Sequence, residues 1–171
     1  MVLKEHFWYF ESVLTNKFCD EIVALAKKRK LDLGNIGKYT DLKRKLTKEE
    51  IKDLKKKRNS NIVFMNDKFI YDEISPFITI ANSSAQWNFE WDWCESAQFT
   101  EYNKNQHYGW HCDTFHEPNN SEDINFKGKI RKLSCIVSLS DSNNYKGGLL
   151  EFDTRDYDPA TEKPSSKILK C

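Results

Sequence analysis

Helical spacing of apolar residues dominates the first half of the chain. Residues 16–30 carry apolar positions three and four apart, Thr15 stands where an N-cap is needed, and lysines gather at the end, which predicts a helix. Residues 67–85 keep the same spacing and predict a second helix, with Pro76 as a kink. The apolar run 60–65 between them predicts a short strand.

Two segments of this half are mainly polar. Residues 31–45 contain two glycines and no clear period, which indicates a surface loop that is either a plain connection or a lid over a site. Residues 47–57 begin with Thr47 and Glu50 at capping-box spacing, which predicts a short solvated helix. Both segments are expected at the surface.

Alternation of apolar and polar residues takes over from residue 86. The run 86–93 places aromatic side chains at every second position and predicts a strand whose aromatic face either packs in the core or stacks on a ligand. Further strands are predicted at residues 97–102, 107–113, 130–140 and 148–152. The glycine pair 147–148 predicts a tight turn that delivers Leu150 and Phe152 into the core.

Length and pattern favour one domain. The chain has 171 residues, enough for a single full core and too few for two comfortable ones. We therefore predict one domain over 1–171. It consists of a helical support region with a short strand (1–85) and a β core (86–171).

Charge and composition limit the classes of partner that the chain is expected to bind. With 27 Lys and Arg against 26 Asp and Glu, the net charge of +1 argues against a nucleic-acid partner and against an acidic membrane surface. No apolar run approaches the roughly 18 residues of a membrane span, so a cytoplasmic protein is expected. The five cysteines form no Cys-x-x-Cys pair and are expected to be reduced and mostly buried.

The segment YGWHCD, residues 108–113, holds the candidate chemistry. On a strand, its period of two sends His111 and Asp113 to one face and Trp110 to the other. An imidazole nitrogen and a carboxylate oxygen suit two of the three facial positions of a non-haem Fe(II) site. The alternative is an ordinary pair on the solvated face of a strand. His107 lies about 13 Å further along such a strand and is not expected to share the ion.

Three blocks with β character follow one another: Tyr102 to Asp113 with the spacing Tyr-x5-Tyr-x2-His-x-Asp, then RKLSCIVSLSD, then YKGGLLEF. Together they resemble the Fe(II)- and 2-oxoglutarate-dependent dioxygenases, in particular the prolyl 4-hydroxylase-like branch, over roughly residues 58–153. The resemblance implies a double-stranded β-helix, a jelly roll related to the cupins, preceded by helices. We therefore expect a mainly β fold with N-terminal helices.

The resemblance also implies roles for single residues. His111 and Asp113 would bind Fe(II), and Tyr102 would offer its hydroxyl to a carboxylate of 2-oxoglutarate, although a purely structural hydrogen bond is the alternative for a tyrosine. The implied reaction hydroxylates a C–H bond of a peptide, such as a peptidyl proline, or of a small molecule. It releases succinate and CO2, with ascorbate as a further candidate cofactor.

Candidate contacts to substrate or cosubstrate flank the motif. They are Arg131, Trp110 and His116. Arg131 opens the predicted strand after the motif, where it would contact a carboxylate ligand or the surroundings of Asp113, or else form a surface ion pair. His116 belongs to a polar loop after the motif, a typical position for substrate contacts.

The chain stops at Cys171, before the distal His and the Arg or Lys that anchors 2-oxoglutarate in this family. We therefore expect the C-terminal strands and part of the site to be missing, which would leave unpaired sheet edges. A non-catalytic jelly-roll binding module with a decayed metal site is the alternative function. A zinc hydrolase is disfavoured because no further His or Glu stands at convincing ligand spacing.

Overall fold

Four helices and three small antiparallel sheets make up the computed structural model, which describes residues 5–40, 44–114, 117–153 and 168–170. The helices are α1 (Asn16–Lys27), α2 (Gly37–Thr40), α3 (Lys48–Lys57) and α4 (Lys68–Ser84). The strands are β1 (Asp32–Leu33), β2 (Arg58–Asn59), β3 (Asn61–Met65), β4 (Ala97–Glu101), β5 (His107–Tyr108), β6 (Glu151–Asp153) and β7 (Ile168–Lys170). A single 3₁₀ turn covers Ser142–Asn144.

Local capping signals place the helices where the sequence predicts them. The amide of Phe18 donates to the hydroxyl of Thr15 at 3.2 Å at the start of α1. At the start of α3, Thr47 and Glu50 form the full capping box, each side chain accepting from the other's backbone N–H. The predicted helices over 16–30, 47–57 and 67–85 are confirmed, with α4 running through Pro76.

The hydrophobic core lies between α1, α4 and a three-stranded sheet of order β1-β3-β4. Its buried members come one or two from each element: Ile22 and Ala26 from α1, Met65 from β3, Ile70 from α4 and Phe99 from β4. Burying these apolar side chains is the main force that holds the two helices on the sheet.

The second sheet connects this core to the YGWHCD segment. Strand β2 pairs antiparallel with β5, with Arg58 opposite Tyr108 and Asn59 opposite His107. The N–H of Gly109 extends the pairing by donating to the carbonyl of Lys57 at 2.8 Å. Because β2 runs almost directly into core strand β3, the start of the motif is fixed to the core sheet.

The third sheet is the antiparallel pair β6-β7, with Phe152 opposite Leu169. Gly147 and Gly148 precede it with φ of 81° and 67°, which the predicted tight turn requires. Phe152 is half-buried and stacks on Phe7, with 5.7 Å between the ring centroids. Leu150 remains 37% exposed, so the prediction that the turn delivers it into the core is wrong.

The predicted aromatic strand over 86–93 is wrong. Gln86 and Asn88 have φ of 57° and 51°, which an extended pleat does not allow. The side chain of Asn82, in α4, accepts from the amide of Phe89 at 3.0 Å and donates to its carbonyl at 2.9 Å. These bonds hold the segment as a folded-back turn after the helix.

The other β predictions are met in part. Strand β4 confirms 97–102, whereas only two residues of 107–113 are strand, and 130–140 pairs with no strand of the described residues. Burial alternates over 131–133 and 137–140, with Leu133 and Leu139 half-buried and the serines between them exposed, but the alternation breaks at Cys135, which is exposed. A strand forms only where its N–H and C=O groups meet a neighbouring strand, which periodicity alone does not supply.

The combination of helices and antiparallel strands is therefore confirmed, and among the described residues helices hold more residues than strands. Part of the predicted loop 31–45 is regular structure, because β1 and α2 lie in it. The described cysteines are free, but only Cys19 is buried. None of the described helices is long and apolar enough to cross a membrane.

Candidate metal site

The side chains of His111 and Asp113 converge. Imidazole Nε2 lies 3.2 Å from carboxylate Oδ1, although residues 109–113 form an irregular segment with bends at Trp110 and Asp113 and not the predicted strand. Two donor atoms bound to one octahedral ion at about 2.1 Å and at right angles lie about 3 Å apart. The two atoms therefore have the spacing of adjacent ligands around a single cation.

The orientation of the imidazole is set by the backbone. Nδ1 of His111 lies 2.9 Å from the carbonyl oxygen of Gly109, which can only accept, so Nδ1 carries a proton. In neutral His111 the lone pair is then on Nε2, the nitrogen that faces Asp113. A backbone carbonyl that fixes the tautomer in this way is a common partner of metal-binding histidines.

Without a metal the two side chains are hydrogen-bonded, and they form an ion pair when His111 is protonated. Burial lowers the pKa of His111, but its hydrogen bonds to Asp113 and to the Gly109 carbonyl outweigh burial, and the pKa is raised. The hydrogen bond from His111, assisted by one from Ser134, lowers the pKa of Asp113 to about 2 even though burial opposes the shift. A metal ion would displace the proton from Nε2.

The second carboxylate oxygen of Asp113 is held by Ser134, whose hydroxyl donates to Oδ2 at 2.5 Å. Nη1 of Arg131 donates to the Asp113 backbone carbonyl. The Thr114 hydroxyl donates to the Arg131 carbonyl at 2.9 Å. Residues 113–114 are thus tied to residues 131–134, and Oδ1 is left facing His111.

Arg131 is itself anchored. Its Nε and Nη2 donate to the two carboxylate oxygens of Glu95 at 2.7 and 2.6 Å, a bidentate pair that is about one third exposed. Sequence reasoning missed Glu95 entirely, because nothing in its neighbourhood marks it. It also missed Ser134, whose only signal was an alternate position in the predicted strand.

An aromatic and cationic layer adjoins the pair. The ring of Tyr108 stacks on His111 with 3.7 Å between centroids and 12° between planes. Cζ of Arg58 lies 4.4 Å from the centroid of the same Tyr108 ring, a cation–π contact. Sequence reasoning missed Arg58, since its role depends on the pairing of β2 with β5.

The remaining predicted residues lie around this centre. Tyr102 follows β4 and is 49% exposed. Burial raises the pKa of its hydroxyl, and the charge of Arg58 offsets only part of that rise. Trp110 is half-buried, and His116 lies outside the described residues. His107, not expected as a ligand, places Nε2 3.1 Å from the Lys56 carbonyl. The contacts proposed for Tyr102, Trp110, His116 and Arg131 with ligands stay predictions.

The donor set is that of a partial facial triad. Among the described residues, no group of three or more His, Cys, Asp and Glu side chains could hold a metal ion, so His111 and Asp113 fit two positions of such a site. An open cavity of about 540 Å³ is lined by Phe89, Glu90, Trp91 and Asp92, none of which is a predicted site residue.

A protein-family model matches part of the chain. Residues 97–168 match the model of the 2OG-Fe(II) oxygenase superfamily, a range that includes Tyr102, His111, Asp113 and Arg131. No curated protein and no solved structure shows significant similarity to the chain. The match supports a relation to this superfamily, an oxygenase-type function, and Fe(II) and 2-oxoglutarate as cofactor and cosubstrate. It does not distinguish the prolyl 4-hydroxylase-like branch from the others.

Proposed function

We propose that the chain is a 2OG-Fe(II) oxygenase that hydroxylates a C–H bond, with His111 and Asp113 as two of its iron ligands. The observation that carries the proposal is the 3.2 Å approach of His111 Nε2 to Asp113 Oδ1 within the segment that matches the superfamily. When bound, iron and 2-oxoglutarate would supply the activation of O2 that yields succinate, CO2 and the hydroxylated product.

The chain's own residues would prepare the site. The Gly109 carbonyl keeps the proton on Nδ1 of His111, and Ser134 keeps Oδ2 of Asp113 occupied, so one nitrogen and one oxygen point to the ion. Tyr102 would donate its hydroxyl to a carboxylate of 2-oxoglutarate. A double-stranded β-helix would complete the surroundings, supported by the match.

Metal binding is the first test. Mn(II), which takes the place of Fe(II) without turnover, should raise the melting temperature of the full chain, and 2-oxoglutarate should raise it further. H111A and D113A should lose both shifts. H107A is the matched control, because His107 bonds the Lys56 carbonyl away from Asp113, and it should keep them. A wild-type chain with no shift would contradict the proposal and favour a non-catalytic binding module.

The second test concerns the substrate. We propose a peptidyl side chain, with proline first, because the Tyr-x5-Tyr-x2-His-x-Asp spacing resembles the prolyl 4-hydroxylase-like branch. Succinate release should rise on adding a proline-containing peptide with Fe(II), 2-oxoglutarate and ascorbate. The same peptide with alanine in place of proline is the control. Equal succinate release with both peptides would reject proline while leaving oxygenase activity standing.

A further inference from the structure

Arg58 is a buried cation with one unused donor. The residue is 5% exposed. Its Nε donates to the Ser60 hydroxyl at 3.0 Å and its Nη1 to the Asn35 carbonyl at 2.8 Å. Nη2 is closed to solvent and has no hydrogen-bond partner among the described residues. An arginine donor left unpaired in the interior is costly, so this group calls for an explanation.

The charge of Arg58 is also uncompensated. Its two acceptors are a neutral hydroxyl and a neutral carbonyl, and no carboxylate of the described residues forms an ion pair with it. Arg29 and Arg131, which are more exposed, each pair with a carboxylate: Nη2 of Arg29 donates to both oxygens of Asp67, and Nε and Nη2 of Arg131 donate to Glu95. A buried guanidinium is stabilised chiefly by an anion, and a carboxylate matches its planar donor fork.

The free donor lies next to the candidate metal site. Arg58 stands opposite Tyr108 in the β2-β5 pair and 4.4 Å from its ring centroid, and that ring stacks on His111. The charge of Arg58 is close enough to act on both Tyr102 and Tyr108: it lowers their pKa values, although burial has the larger effect and raises them. An anion at Nη2 would therefore sit beside the metal-binding motif.

The guanidinium is held in place by a close backbone approach. Gly34 donates its N–H to the Ser60 carbonyl at 2.8 Å. A Cβ at position 34 would lie 2.4 Å from the Ser60 hydroxyl and 2.6 Å from Nε of Arg58. The Nε and Nη1 edges are thus fixed by the chain, and Nη2 is the edge left for a ligand. A donor fixed in advance costs little ordering entropy on binding.

We propose that Arg58 is a carboxylate-binding residue of this site, with Nη2 donating a charge-assisted hydrogen bond to a carboxylate ligand held next to Tyr108. The inference rests on the proposed oxygenase function and deepens it. The carboxylate belongs either to 2-oxoglutarate or to an acidic side chain of the substrate. Because Nη2 is closed to solvent in the ligand-free chain, binding requires a covering group to move aside.

Calorimetric titration of the full chain tests the inference. 2-Oxoglutarate and acetylglutamate amide, a stand-in for an acidic side chain, are titrated separately with Mn(II) and again without it. Arg58→Lys keeps the charge but loses the fork, and should weaken one of the two ligands about 10-fold or more. Arg44→Lys is the matched control, because Arg44 is exposed and paired with Glu50, and it should bind like wild type.

The two titrations distinguish the two possible sources of the carboxylate. Weakened 2-oxoglutarate binding assigns Arg58 to the cosubstrate, and weakened acetylglutamate amide binding assigns it to the substrate. Wild-type affinity for both ligands in Arg58→Lys, or no binding of either by wild type, overturns the inference. If lysine does not allow folding, Arg58→Gln, which keeps a donor without charge, gives the same comparison. Mn(II) binding and its dependence on His111 are measured without any carboxylate ligand. That measurement therefore tests the proposed function independently of the role of Arg58.

Discussion

The phenol ring of Tyr108 stacks almost parallel on the imidazole of His111, with 3.7 Å between their centroids. Tyr108 belongs to β5, whose pairing with β2 fixes it to the core sheet, whereas His111 lies in the irregular segment beyond the strand. The stack is therefore the contact through which the folded core orients a residue of an irregular segment.

Replacing Tyr108 tests this role. Tyr108→Ala should weaken Mn(II) binding about 10-fold, the lower end of what the loss of an orienting partner costs a metal site. Tyr108→Phe keeps the ring and should bind Mn(II) like wild type. Calorimetric titration of the metal checks both variants. Equal affinity for the alanine and phenylalanine variants would show that the stack does not orient His111.

The ion pair of the metal-free chain can be followed by NMR titration of His111. Its pKa is raised mainly because the hydrogen bonds to Asp113 and to the Gly109 carbonyl outweigh burial. In Asp113→Asn the charge is gone while burial remains, so the pKa should fall. A His111 pKa that stays the same in the variant would mean that Asp113 is not its partner.

The same pair makes the stability of the metal-free chain depend on pH. The raised pKa of His111 contributes stability that is fully present below about pH 6.5 and is lost as the pH rises through the folded value. The lowered pKa of Asp113 contributes stability above about pH 4, lost as the pH falls towards 2. Wild type should exceed Asp113→Asn by about 1 kcal/mol or less between these limits, since both side chains are more than one third exposed. Urea unfolding at pH 5.5 and 9 measures the difference, which should shrink at pH 9.

Glycine substitutions test the packing around Arg58. Gly34→Ala forces its Cβ against Ser60 and Arg58 and should cost about 1–3 kcal/mol of unfolding free energy. Gly37→Ala, at the start of α2, meets nothing within 4 Å and should be neutral or slightly stabilising. Urea unfolding of the two variants checks the contrast. Equal stabilities would show that the chain can relax away from Arg58 at no cost.

The pair between Glu95 and Arg131 should show measurable coupling. A double-mutant cycle with Glu95→Gln and Arg131→Met should give about 0.5–1 kcal/mol, because the pair is bidentate but one third exposed. The same cycle on Lys68 and Asp72, a more exposed pair within α4, should give less. Coupling no larger than in that helical pair would mean that Glu95 does not anchor Arg131.

Elements held by interactions between residues close in the sequence were predicted better than elements that depend on distant residues. The helices α1, α3 and α4 were predicted because their signals are local: a cap in α1 and α3, and an apolar stripe in α1 and α4. The strands were harder, because alternation indicates an extended chain but does not name its partner. The segment 86–93 failed for a local reason, since residues with positive φ broke a pattern that was otherwise regular.

The candidate site divides in the same way. His111 and Asp113 were recognised from their spacing, and they do approach each other, although an irregular segment and not a strand brings them together. Glu95, Ser134 and Arg58 were missed, since their partners, Arg131, Asp113 and Tyr108, lie 21 to 50 residues away in the chain. Such partners are found by packing, and no local pattern marks them.

The stacking of Phe7 on Phe152 has a consequence for the order in which a newly made chain acquires its structure. During synthesis the two rings emerge roughly 145 positions apart, which at about 5–20 residues per second separates them by about 7–30 s. Phe7 is therefore without its stacking partner Phe152 while the helices and the core sheet form. Closing the contact between the start of the chain and β6 should be among the last steps of biosynthetic folding.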